Sequence, residues 1–139
     1  MISTKAVRTA LYTKLNTASV TGYLGAGSAS LVHAIAGPQS AAVYPIVIFN
    51  KQAGTPVDAF GAQVFKHHIW LVKAVVRDTS SSVAEDIDKA INDLLDFGTL
   101  TITGGSLLHM ARESDVDYVE NDGDQLFRHH GALYRVTVE

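Results

Sequence analysis

Apolar residues recur at Val7, Leu11 and Leu15, with Ala6 and Ala10 beside them, and Ser3 stands where a capping hydroxyl belongs. That spacing of four predicts an amphipathic helix ending near Asn16. Gly22, Gly25 and Gly27, with Ser28 and Ser30, read as a flexible connection. Ser30 to Ala36 then forms a candidate short strand, stopped by Gly37-Pro38. Tyr44-Pro45-Ile46-Val47-Ile48-Phe49 is a firmer strand, with the proline tolerable at its start. The stretch from Lys51 to Gln63 holds Gly54, Pro56 and Gly61 and reads as a long hairpin connection, in which Val57 and Phe60 are the exposed apolar candidates. A long strand follows from Val64 to Arg77. Its alternation places Phe65, Ile69, Leu71 and Val75 on one face and Trp70, Val72, Ala74 and Val76 on the other. A strand apolar on both faces is covered on both, by its own domain or by a partner.

The second half repeats the theme. Ser82-Val83-Ala84-Glu85 reads as a capping box, and Val83, Ile87, Ala90, Ile91, Leu94 and Leu95 form a helical stripe that Gly98 closes. Leu100 to Thr103 is expected as a short strand, with Gly104-Gly105 as a turn. Ser106 to Val119 and Leu126 to Val138 are expected as two long strands joined at Asn121-Asp122-Gly123. The order is helix, two or three strands, helix, three strands: an α+β fold, α-β-β-β-α-β-β-β. Two main helices pack on a mostly antiparallel sheet, in a single domain over residues 1–139.

Composition narrows the function. At 139 residues with 47% hydrophobic and 18% charged residues, the chain buries a real core. The net charge of -3 disfavours phosphate-backbone binding, which needs clustered cations. The absence of cysteine excludes disulfides, thiolate nucleophiles and cysteine-held metals. Lys5 and Arg8 interrupt any apolar leader, Ile69-Trp70-Leu71-Val72 is far too short to span a bilayer, and no asparagine lies in a glycosylation sequon. The chain is expected to be soluble and made in a cytoplasm.

No catalytic, cofactor-binding or metal-ligating residue is nominated. The pairs His67-His68 and His129-His130 invite a metal, but adjacent strand residues point to opposite faces. Sheet-surface or interface histidines are the favoured alternative. Glu113, Asp115 and Asp117 alternate, which places all three on one strand face, and Glu120, Asp122 and Asp124 extend the charge into the turn. In Asp115-Val116-Asp117-Tyr118-Val119 a valine, Val119, stands where a calcium loop needs oxygen, and the loop's last glutamate is missing. The acids read as a solvated face or as a negative lining past which DNA slides. Gly25-Ala26-Gly27 meets Ser30 where a dinucleotide fingerprint needs glycine, and no G-x-S-x-G occurs.

The order of segments resembles the tail-terminator, or tail-completion, family of long-tailed phages and related gene-transfer particles. The resemblance is carried by Ala10-Leu11-Tyr12, by Gly37-Pro38 with Tyr44 to Ile48, and by Ile69 to Arg77 leading into Ser82 to Ile87. Tyr134-Arg135-Val136-Thr137-Val138 closes the pattern. Membership implies a non-enzymatic virion protein that needs no cofactor and assembles as a ring, usually hexameric. The ring caps the tail tube, stops its growth and meets the head-side connector or stopper, while genome DNA passes through without specific binding. It also implies assembly in the host cytoplasm and no membrane partner. The candidate interface or lumen residues are Val57, Phe60, Glu113, Asp115 and Asp117. A head-closure or head–tail joining protein is the near alternative, and a small metal- or ligand-binding α+β domain the distant one.

Overall fold

The computed structural model describes residues 2–24, 32–34, 44–77 and 81–139. Helix α1 (Thr4–Leu15) begins where the Ser3 hydroxyl accepts the Ala6 N–H at 3.1 Å, and it buries Val7, Ala10, Leu11 and Leu15 as its periodicity requires. The connection expected from Gly22 is preceded by a further short helix, α2 (Ala18–Thr21). Gly25, Gly27 and Gly37-Pro38 lie outside the described residues. Of the strand expected over Ser30 to Ala36, Val32–Ala34 forms β1.

Strands β2 (Ile46–Ala59) and β3 (Ala62–Arg77) correct the first hairpin. Lys51 to Gln63 is not a connection. Most of it is strand, and the turn is only Phe60-Gly61, both at positive φ (52° and 80°). The Gly and Pro signals misled for a definable reason. Among the described residues β1 pairs with β2 only as far as Phe49, so beyond it β2 has no described neighbour on that side, and an edge position of that kind tolerates Pro56.

Helix α3 (Ser81–Leu95) follows. Ser82 therefore lies inside its first turn instead of capping it, and the residues before Ser81 are outside the described set. At its end the left-handed position belongs to Phe97 (φ 55°), not to Gly98. Gly98 is needed for a different reason: a Cβ there would sit 2.0 Å from the Leu94 carbonyl oxygen. Leu100–Thr103 is not a strand either. It is an irregular stretch lying along α1, anchored by buried Ile102. Strands β4 (Leu107–Asp122) and β5 (Gln125–Val138) complete the chain, turning at Gly123-Asp124.

The five strands form one sheet in the order β1-β2-β3-β5-β4, with β1 parallel to β2 and every other pairing antiparallel. Even-numbered β3 residues, Trp70, Val72 and Ala74, share a face with Val47, Phe49, Ala132, Tyr134 and Val136. Helices α1 and α3 cover that face, and one hydrophobic core fills the space between. This is an α+β fold.

Candidate functional site

The covered face is closed by a polar belt. Asp88 on α3 receives Arg112 of β4 through both guanidinium nitrogens, at 2.9 and 3.0 Å. Arg112 Nε donates to Asp115 at 2.9 Å, and the Arg112 backbone N–H donates to Asp96 at 2.9 Å. Burial, the largest single influence on the Arg112 guanidinium, favours its neutral form, but the hydrogen bonds to Asp88 and Asp115 outweigh it and raise its pKa. The Tyr134 hydroxyl donates to Asn92 at 3.2 Å, and burial pushes its pKa up to about 12. His130 bridges Asp88 at 3.2 Å and Asp117 at 3.4 Å. Arg128 grips Asp117 at 3.1 and 3.0 Å, which holds that carboxyl below its ordinary range. The belt ties α3 to both strands of the second hairpin. It makes no cleft.

This arrangement corrects the expectation that three acids share a face. The β4–β5 register slips between Arg112 and Ser114, so Arg112 pairs opposite Tyr134 and Asp115 opposite Ala132, both on the helix side. Glu113 sits at this β-bulge and bonds Arg135, whose alternation with Tyr134 places it on the opposite face. The alternation of acids could not reveal the extra residue. Each of the three acids is also matched by an arginine: Glu113 by Arg135, Asp115 by Arg112, Asp117 by Arg128.

The histidine pairs diverge as strand geometry demands. His67 Nδ1 meets the Thr137 hydroxyl at 2.8 Å on the open face, whereas His68 is fully buried under the helices. His129 Nε2 meets Glu120 at 2.7 Å on the open face, stacked on Tyr118 with centroids 4.4 Å apart. Burial lowers the His129 pKa, opposed in part by Glu120. Among the described residues no three His, Asp or Glu side chains group to hold a metal. No helix among them is long and apolar enough to cross a membrane.

Among the described residues two surfaces are left partly open. One is the sheet face away from the helices, where Ile48, Ile69, Leu71, Val116 and Leu133 are half-buried, although Ile46, Val75, Phe127 and His129 at one end of it are buried. The other is the tip of the β2–β3 hairpin. Pairing of β3 with β5 starts at Lys66↔Val138, so residues 57–65 form a two-stranded arm that outruns the sheet. The arm reaches about 15 Å beyond it at the usual rise per residue. Val57 is half-buried on the arm, Val64 is 47% exposed, and Phe60 at the apex is wholly exposed. An aromatic at positive φ in a tight turn is unfavourable by about 1–2 kcal/mol, and here it exposes an apolar ring as well. The sequence named Phe60 as an exposed candidate but did not show the arm that carries it.

The fold defines an α+β sheet-and-helix class. Within it, a solved chain from the virion of a native gene transfer agent particle superimposes with a TM-score of 0.78, covering 97% of this chain and 96% of that one at 15% identity. A second solved structure superimposes with a TM-score of 0.58 at 16% identity, covering 98% and 96%. No family model and no curated protein matches the sequence.

Proposed function

We propose that the chain is a non-enzymatic structural subunit of a phage-like particle, acting as the terminator of the tail tube. It assembles as a closed ring, hexameric in this reading, on the last ring of the tube. There it stops polymerisation and meets the head-side connector, in a particle put together in the host cytoplasm. The observation that carries the proposal is the whole-chain likeness in fold to a chain of the gene transfer agent virion. The half-apolar open sheet face and the protruding arm support it, because a ring subunit needs surfaces that its own domain leaves uncovered. Val57 and Phe60 belong to the subunit contacts. Asp115 and Asp117 on the helix side, and Glu113 on the opposite face, are the candidates for the DNA path or its rim, and their arginine partners leave these positions close to neutral, so DNA slides past without binding. The exposed turn acids Asp122 and Asp124 supply the net negative charge there.

Native mass spectrometry of the purified protein, alone and with its tail-tube protein, tests the proposal. A closed ring, free or captured on tube ends, together with tubes of limited length, is the expected result. A monomer that ignores tube protein but binds the head connector assigns it to head closure instead. Charge reversal at Asp115 and Asp117 that leaves assembly and infectivity untouched would remove these two acids from the DNA path.

A further inference from the structure

The arm has a counterpart elsewhere on the same molecule. Between α1 and the irregular stretch Thr99–Thr103 runs an open groove of about 760 Å³, lined by Ala6, Ala10 and Leu100 and by the hydroxyl side chains of threonines from both elements. Its only charged lining residues are Lys5 and Lys14. The arm, residues 57–65, carries a single charge, Asp58, two residues from the apex. An apolar ring on a tip with one acid therefore meets a groove that offers Ala6, Ala10, Leu100 and threonine methyls to the ring and two lysines to the acid.

We propose that the β2–β3 arm docks in the α1 groove of a second copy of this chain, with the Phe60 ring on Ala6, Ala10 and Leu100 and Asp58 beside Lys5 or Lys14. The proposal rests on the ring reading above and names the contact that builds the ring. Arm and groove are different patches, so the contact is head-to-tail, and head-to-tail contacts close into rings when the rotation between copies allows it. It also gives a use to the strained apex. The left-handed backbone at Phe60 aims a bulky ring outward from a turn that Asn or Gly would make more cheaply.

The absence of cysteine makes the test clean. In the full chain, Ala62→Cys on the arm and Thr9→Cys in the groove are combined and treated with a short bismaleimide linker, on whichever ring forms, free or on tube ends. A ladder of covalent multimers is expected from the double variant, and at most dimers from either single one. In parallel, Phe60→Asn keeps a residue that tolerates the left-handed turn but removes the ring system. It is expected to weaken ring formation at least tenfold with an unchanged melting temperature. Rings that persist in Phe60→Asn at wild-type concentration dependence, with no ladder, overturn the arm contact and leave the terminator reading standing. A ladder that joins the groove to tube protein and not to a second copy overturns the choice of occupant. A wild-type chain monomeric both alone and with tubes overturns both proposals.

Discussion

His68 makes the stability of this protein depend on pH between about 4 and 6.5. It is fully buried beneath the helices, and its Nδ1 accepts the Trp70 indole N–H at 3.3 Å, so the ring is neutral with its proton on Nε2. Nε2 finds no hydrogen-bond partner among the described residues. Burial, with Lys51 and Lys66 nearby, lowers its pKa from 6.5 to about 4. The folded state therefore binds a proton less readily than the unfolded chain. Stability is full above pH 6.5 and is lost as the pH falls towards 4. At pH 5 the unfolded chain is mostly protonated at this position and the folded protein is not, a difference of about 2 kcal/mol. Urea denaturation of wild type and of His68→Gln at pH 7.5 and pH 5 reads it out. The variant loses packing and sits lower at both pH values, but the comparison lies in the slope. Wild type is expected to lose about 2 kcal/mol more than His68→Gln between the two conditions. Equal losses in the two proteins would refute the reasoning, because they would mean that His68 titrates alike in the folded and unfolded chain.

Two further substitutions probe the belt and the sheet. Arg112→Met leaves the buried Asp88 carboxylate with only His130 and is expected to destabilise by about 3–5 kcal/mol in urea denaturation; a loss below about 1 kcal/mol would show that solvent replaces the guanidinium there. Gly131→Ala builds a Cβ 2.2 Å from the Val72 carbonyl oxygen and 2.5 Å from Lys73 Cα, both in the backbone of β3. It is expected to cost about 3 kcal/mol, seen as a thermal midpoint lower by roughly 10 °C.

Much of the architecture was legible because its signals were local. The stripe Val7, Leu11, Leu15 and the stripe Ile87, Ile91, Leu95 each define a helix face, and the buried face is the one the core uses. The two-sided pattern of β3 also announced its surroundings: one face lies under helices, and on the other Val75 is buried while Ile69 and Leu71 are half-buried. What failed depended on neighbours that a single segment does not reveal. Gly54 and Pro56 looked like loop residues because nothing in the sequence says that β2 runs on, paired with β3, past the last described β1 partner at Phe49. Thr101-Ile102-Thr103 alternates like a strand, but Ile102 satisfies the alternation by packing into the core, without a ladder. The bulge at Glu113 shifts the register by one residue, which moves that acid to the other face without any change in composition. Phe97, and not the glycine beside it, takes the left-handed cap position, while Gly98 is required because a Cβ there would meet the Leu94 carbonyl oxygen.

The strand order has a consequence for how the chain reaches this state. Each hairpin, β2–β3 and β4–β5, closes through a two-residue turn and can form early from local contacts. The sheet becomes one body only when β3 and β5 pair, which joins Lys66–Arg77 to Phe127–Val138 across some sixty residues and the whole of α3. Such a late, non-local seam is the step expected to set the folding rate. Until it closes, β3 presents an unpaired edge bearing Leu71, Val72 and Val75, and two waiting chains can pair there with each other. Slow synthesis or a cool growth temperature, by keeping the number of open intermediates low, should therefore raise the yield of native subunit more than any gain in final stability.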